Sequence, residues 1–444
     1  MTINYKNIGL FFLVACLILG TGFVQSWNTA LFILNMGLVS AIMALGVNLQ
    51  WGFAGLFNVG IMGFVALGGL AAVLISMPPT TEAWAAGGLQ VIFGLILGAA
   101  TVTGAILAQI RMAAGRARTL TTIAILIGGF FIFRAVFDGG VAAVESVDAA
   151  GTGYLGGLNF GGANYKDWGF MALISWPVGG LLAAGVAWLI GKTALSLRSD
   201  YLAIATLGIS EIIIAVMKNE DWLSRGVKNV IGLPRPVPYE IELQESARFI
   251  ERTTALGLDT VTTSSIVVKL GYAGLFSIVL VIILILAQLA LASPWGRMMR
   301  AIRDNEDAAE AMGKNVTSRH LQIFILGSAI CGVAGAMMTT LDSQLTPSSY
   351  QPLRFTFLVW VMVIVGGSGN NFGSVLGGFL IFFLWVQVEP MGAILMQILT
   401  SGMGENNGLR LHLLDSVAHM RLLTMGLILI LVLRFAPKGL IPEK

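Results

Sequence analysis

Few residues in this sequence could do chemistry, and they stand out because their neighbours are mostly apolar. Glu211 lies about ten residues into an apolar run, where a carboxylate is costly in lipid and must face other helices or water. It serves either an ion pair inside the bundle, with Arg134 one possible partner, or a path for a polar solute. Asn48 to Asn58, Asn-Leu-Gln-Trp-Gly-Phe-Ala-Gly-Leu-Phe-Asn, is a polar and aromatic interruption between two apolar runs. Irregular backbone at membrane depth survives only when buried in protein or lining a wet cavity. The stretch is therefore a tight interhelical turn or a lining segment, and Asn48, Gln50 and Asn58 are the side chains that would line a pathway. Gly366-Gly367-Ser368-Gly369 is turn chemistry or a hinge, with Gly366, Gly367 and Gly369 as its pivots.

The most informative stretch is Arg297 to Gly313, Arg-Met-Met-Arg-Ala-Ile-Arg-Asp-Asn-Glu-Asp-Ala-Ala-Glu-Ala-Met-Gly. It predicts a short helix outside the membrane. Asp304 suits the N-cap, Asp307 places negative charge at the positive end of the helix dipole, and Gly313 suits the left-handed position after the helix. Met299, Ile302, Ala309 and Met312 recur at roughly helical spacing and form one apolar stripe. Such a stripe needs a surface to press on, either lipid or protein.

Other signatures fail on inspection. Gly191-Lys192-Thr193 ends like a phosphate loop, but position 186 is Val rather than Gly and the preceding residues form a membrane segment. Gly151-Thr-Gly153-Tyr-Leu-Gly156 matches a dinucleotide fingerprint as a string, without a strand-turn-helix unit around it. His320, His412 and His419 lack a second ligand at metal-binding spacing. Cys16 and Cys331 fall inside apolar runs and read as small buried hydrophobes. No cofactor or metal is expected on the chain itself, and no catalytic group is legible.

The elements that hold these residues follow from composition. The 444 residues are 56% hydrophobic and 11% charged, with a mean hydropathy of +0.85; soluble domains carry about a quarter charged residues. A net charge of +3 gives no concentrated basic face for nucleic acid. Apolar segments fall at 8–25, 30–47, 59–77, 86–108, 120–137, 168–190, 201–217, 270–292, 321–341, 355–366, 374–396 and 420–435. Runs of about twenty residues fit spanning helices and are too long for barrel strands. An all-α polytopic integral membrane protein of about 10–12 transmembrane helices is expected, as one domain over 1–444 in contact with membrane lipid. The first run continues past Cys16, so a transmembrane helix is expected there rather than a lipoprotein signal.

With twelve alternating segments, Arg111, Arg116, Arg118, Lys192, Arg198, Arg297, Arg300, Arg303, Arg434 and Lys438 share one side, which the positive-inside rule makes cytoplasmic. Asp138, Glu145, Asp148 and Asp167 then lie outside, with the extracytoplasmic loop 218–269, whose seven basic and seven acidic residues cancel. Both termini are expected to be cytoplasmic. Gly94 with Gly98 and Gly373 with Gly377 have spacings that let helices approach closely.

Asp307-Ala308-Ala309, with Gly313 four residues further and Ile323 ten beyond that, resembles the coupling loop of ABC importer permeases, with Asp in place of the usual Glu and no Leu-Pro ending. Asn48–Asn58, Asp200-Tyr-Leu-Ala-Ile-Ala-Thr-Leu-Gly208 leading to Glu211, Arg300–Gly313, Gly366–Gly369 and Phe435-Ala-Pro-Lys-Gly439 together resemble the permeases of branched-chain amino acid ABC importers, the LivM type. The resemblance implies the ABC importer permease fold in a bacterial-type inner membrane. It makes 297–313 a cytoplasmic loop in which Arg300, Arg303, Asp307, Ala308, Ala309 and Gly313 couple to a separate ATPase. It implies a second homologous permease, two cytoplasmic ATPases using ATP and Mg, an extracytoplasmic solute-binding protein and an amino acid substrate. Relatives carry urea, short amides or other amino acids. From a different class, an ion-coupled secondary transporter would draw on Glu211.

Overall fold

The computed structural model describes residues 5–147, 153–159, 169–195, 197, 199–404 and 407–443. The expectations for Asp148, Asp167 and Arg198, and for the first two residues of the glycine string at 151, lie outside them. The chain runs through helices α1 (Tyr5–Val24) and α2 (Trp27–Val47), a π-turn (Asn48–Gly52), and α3 (Ile61–Ser76). A short α4 (Thr81–Ala83) leads through a second π-turn into α5 (Leu89–Arg111), followed by α6 (Arg116–Glu145), α7 (Gly169–Ala194) and α8 (Ser199–Asn219). Small helices α9 (Asp221–Ser224), α10 (Glu240–Glu245) and α11 (Ala247–Ala255) precede the long α12 (Thr260–Ala292). Then come α13 (Pro294–Asp304), α14 (Glu306–Ala311), α15 (Val316–Asp342), α16 (Leu358–Gly366), α17 (Asn371–Leu399), α18 (Gly408–Asp415) and α19 (Met420–Phe435). One antiparallel pair joins β1 (Val230–Ile231) to β2 (Gln344–Leu345), tying the loop after α8 to the loop after α15.

Among the described residues ten helices are long and apolar enough to span a membrane, with two shorter apolar helices at Ile61–Ser76 and Arg354–Gly366. The all-α polytopic fold expected from composition is therefore present. Burial separates an inner set from an outer one. The span that begins at Trp27 is 89% buried and that of α15 is 61% buried, whereas that of α6 is 6% buried. Small residues make the inner packing possible: a side chain at Gly335 would strike the Val65 backbone, and one at Gly377 the carbonyl of Met362. Gly94 and Gly98 face Phe137 and Phe133, which closes α5 on α6 as a hairpin.

Three local expectations change. The eighth segment begins at Thr260, not 270, because Asp259 caps it through the Thr262 amide; the last ten residues assigned to the loop 218–269 belong to this spanning helix. The stretch 297–313 is two helices rather than one. Asp304 ends the first, and Asn305, one residue later, caps the second by accepting from the Ala308 amide at 2.9 Å. Cys16 is exposed on α1, while Cys331 is buried as expected; α1 buries only one edge against α2 and α17.

Candidate functional site

Three segments far apart in sequence converge at one end of the inner bundle: the π-turn Asn48–Gly52, the helices α13 and α14, and the turn between α16 and α17. A π-turn holds one more residue than the α-helical repeat and rotates the side chains after it. Here it presents Asn48 and Gln50, both fully buried, to different neighbours. Asn48 donates to the side-chain oxygen of Asn371 at 3.0 Å and accepts from the Gly369 amide at 2.9 Å. Gln50 donates to the Phe324 carbonyl at 2.9 Å and the Ser328 hydroxyl at 3.1 Å. Its oxygen accepts from Asn58 at 2.9 Å, and Asn58 in turn accepts from the Gly60 amide at 2.8 Å. Of the three amides expected to line a pathway if the segment did so, Gln50 and Asn58 are thus bonded to each other, to α15 and to the residue before α3, and Asn48 is bonded to α17 and the turn before it. A buried amide needs such partners, because each one left without costs about 1–3 kcal/mol.

Aromatic rings close the same region. Trp360 donates to the Asn58 carbonyl at 3.1 Å and packs with its centroid 4.7 Å from both Trp51 and Phe57. Gly52 has no room for a side chain: a Cβ there would lie 2.5 Å from the Gly369 nitrogen.

The helix α13 is amphipathic and seats itself through Met299 and Ile302, which are fully buried. Arg300 is half-buried and caps α12 by donating to the Leu291 carbonyl at 3.3 Å. Arg303 donates from Nη1 to the Gly52 carbonyl at 2.5 Å and to Glu443 at 2.9 Å, and it also pairs with Asp304 at 3.1 Å. Those carboxylates favour the guanidinium cation against its partial burial. One side chain thereby joins α13, the π-turn and the C-terminal segment. That segment continues the connection: Leu440 and Ile441 donate backbone bonds of 2.9 Å to Val365 and Gly366.

The next helix is different. In α14 Asp307, Ala308 and Ala311 are exposed, while Ala309 is half-buried and packs against the core. Met312, just past the end of α14, is 80% exposed, so it leaves the expected four-residue stripe, whose other three members pack inward. Gly313 has φ +78 as its position required, and its amide closes on the Glu310 carbonyl at 2.8 Å.

The Gly366–Gly369 turn is tight. Gly366 lies against the Gly373 carbonyl, and Gly367 and Gly369 take φ values of +122 and +77. The arrangement fixes the end of α16 on the start of α17, whose cap, Asn370, accepts from the Phe372 and Gly373 amides.

Glu211 lies apart from this cluster. It is exposed on α8, on a stripe with Ile204, Gly208 and Ala215. Arg134 is not its partner, because that side chain pairs with Asp138 at 2.6 Å on its own helix. Asp200 falls in the first turn of α8. Arg303 was expected to couple, but its bond to the π-turn and its pairing with Glu443 were not legible; only the shared end of the bundle, given by charge parity, hinted at them.

The family model described as the branched-chain amino acid transport system / permease component matches residues 148–433. This includes α13, α14 and the Gly366–Gly369 turn, and leaves the π-turn outside. The high-affinity branched-chain amino acid transport system permease protein LivM of Escherichia coli (strain K12) is 29% identical over 226 residues, 49% of this chain and 51% of its own. The probable branched-chain amino acid transport permease protein LivM of Methanocaldococcus jannaschii is 27% identical over 154 residues, 35% of this chain and 41% of its own. The fructose import permease protein FrcC of Rhizobium meliloti is 26% identical over 102 residues, 22% and 28% of the two chains. The chain thus spans about half the length, or less, of the curated relatives it matches. No solved structure matches it significantly.

Proposed function

Because this chain belongs to the branched-chain amino acid transport system permease component family, we propose that it is the membrane permease of an ATP-driven importer. It passes branched-chain amino acids inward on ATP hydrolysed, with Mg, by two separate cytoplasmic ATPase subunits. The observation that carries this reading is the division of labour between α13 and α14. The first is buried and bonded through Arg303 to the π-turn, and the second offers an exposed, capped surface of small side chains. A partner that pushes on α14 moves α13, and α13 carries the displacement to α2, α15 and α17 through Gly52, Gln50 and Asn48. In this proposal Arg300, Arg303, Asp307, Ala308, Ala309 and Gly313 form the coupling surface on the cytoplasmic side, where both termini also lie, and the loop after α8 faces outward to a solute-binding protein.

The exposed stripe of α8 fits the second permease. A carboxylate such as Glu211 is not stable against lipid, so it belongs against another subunit or in the water-filled path between two. The chain itself binds no nucleotide in this scheme. ATP-dependent leucine uptake into proteoliposomes holding the permeases, ATPases and binding protein tests it. Uptake that ran without ATPases, on an ion gradient, would overturn it; uptake of urea or a short amide instead of leucine would keep the machine and change the cargo.

A further inference from the structure

At the opposite end of α15 from the coupling helices, a polar cavity of about 210 Å³ opens beneath the loop that joins α15 to α16. Asp342 and Arg354 both line it. Among the described residues neither makes an ion pair or a side-chain hydrogen bond from its charged group. The charges within electrostatic reach of Arg354 are Asp342 and Arg421, and Arg421 is already paired with Glu389. Two opposite charges thus share a cavity without closing on one another.

Arg354 is half-buried, whereas Asp342 is open to solvent at the cavity mouth; a partly buried guanidinium needs a partner. Asp342 is also the last residue of a 27-residue helix, the end at which the helix dipole favours cations and disfavours carboxylates. The local fold keeps the space open. Tyr350, fully buried, bonds to the Thr339 hydroxyl at 3.2 Å, and Gly69 on α3 leaves it room, since a side chain there would strike the Tyr350 oxygen. Met338 and Phe355 supply the apolar wall, with the Arg354 guanidinium 5.1 Å from the Phe355 ring centre.

We infer that this cavity is a binding site for a zwitterionic α-amino acid, whose carboxylate meets Arg354, whose ammonium meets Asp342, and whose side chain rests on Met338 and Phe355. The chemistry is selective because a guanidinium holds a carboxylate through two parallel hydrogen bonds, while the carboxylate of Asp342 and the negative helix end attract a cation. Urea and short amides lack both charges. The inference rests on the permease reading, and it places the first amino acid contact next to β2, which the loop after α8 holds by strand pairing.

The test is equilibrium binding of radiolabelled leucine to the purified complex of permeases and ATPases without its binding protein, with isoamylamine and isocaproate as competitors. These are leucine without its carboxylate and leucine without its amino group. The expected result is saturable leucine binding that neither competitor displaces at a concentration equal to that of leucine. Asp342→Asn and Arg354→Gln should each weaken binding about ten-fold, the loss of one charge-assisted contact, in complexes whose subunits co-purify as in the wild type. Met338→Ala, which leaves both charges, should weaken binding of leucine more than of alanine. No binding by the wild type, effective competition by either analogue, or unchanged binding in both charge variants overturns the site. ATP-driven leucine uptake by the wild-type complete system is measured alongside. Uptake with unaltered binding in the variants leaves the permease reading standing and removes this one; absent uptake removes the permease reading.

Discussion

The guanidinium of Arg303 donates to the carbonyl of Gly52 at 2.5 Å across 251 residues of sequence. A carbonyl is free to accept there because the π-turn breaks the regular helical ladder, and Gly52 permits the approach because it carries no side chain. A Cβ at this position would meet the Asn48 oxygen and the Gly369 nitrogen at once.

Gly52→Ala is therefore expected to displace either the π-turn or the Gly366–Gly369 turn and to lower the thermal stability of the purified permease by several degrees. Gly185→Ala is the control, since a Cβ there meets nothing within 4 Å and replaces glycine in a helix, a change worth about 0.5–1 kcal/mol of stabilisation. Equal melting temperatures for Gly52→Ala and the wild type would contradict the packing described.

Gln50→Leu removes the partner of Asn58 and of the Ser328 hydroxyl while keeping most of the volume. With two buried polar groups left without partners, destabilisation of about 2–4 kcal/mol is expected, read as a lower unfolding midpoint in detergent. Gln50→Glu should be worse, because it buries a carboxylate where the Phe324 carbonyl now accepts. A variant as stable as the wild type would show that the network contributes nothing.

If the α8 stripe meets the second permease, single cysteines at Ile204, Glu211 and Ala215 in a Cys16→Ser background should cross-link to it with a short bifunctional reagent. Cys16 must go first because it is exposed, whereas Cys331 is buried and stays. Cysteines at Leu202 and Ile214, on the buried side of the same helix, should not react. The reverse pattern would place the partner elsewhere.

Much of this was legible in the sequence because lipid leaves a chain few options. Apolar runs near twenty residues located the spanning helices, and the shortest run, 355–366, is one of the two short apolar helices in the structure; the other, α3, fills a run of ordinary length. The left-handed turn at Gly313 was readable for the same kind of reason, since local backbone chemistry demanded glycine. The cap at Asn305 was missed by one residue, because Asp304 and Asn305 are both good caps and the seating of Met299 and Ile302 decides how far α13 runs. The exposure of Cys16 was invisible, because an apolar run does not say which face meets lipid. Least legible was the site. Asn48, Gln50 and Asn58 could be singled out as polar intruders, but their partners Asn371, Phe324 and Ser328 lie more than 260 residues away and no local pattern names them.

The coupling claim is tested most directly by Arg303→Gln in the complete reconstituted system, with ATP hydrolysis and leucine uptake measured in the same vesicles. The substitution keeps a polar stem and removes the charge that holds Gly52 and Glu443 together. A hydrogen bond to a charged group is worth about 1.5–3 kcal/mol, so uptake per ATP hydrolysed should fall about ten- to a hundred-fold. Hydrolysis itself and subunit assembly should stay near wild type. An unchanged ratio of leucine moved to ATP spent would contradict the link between α13 and the π-turn.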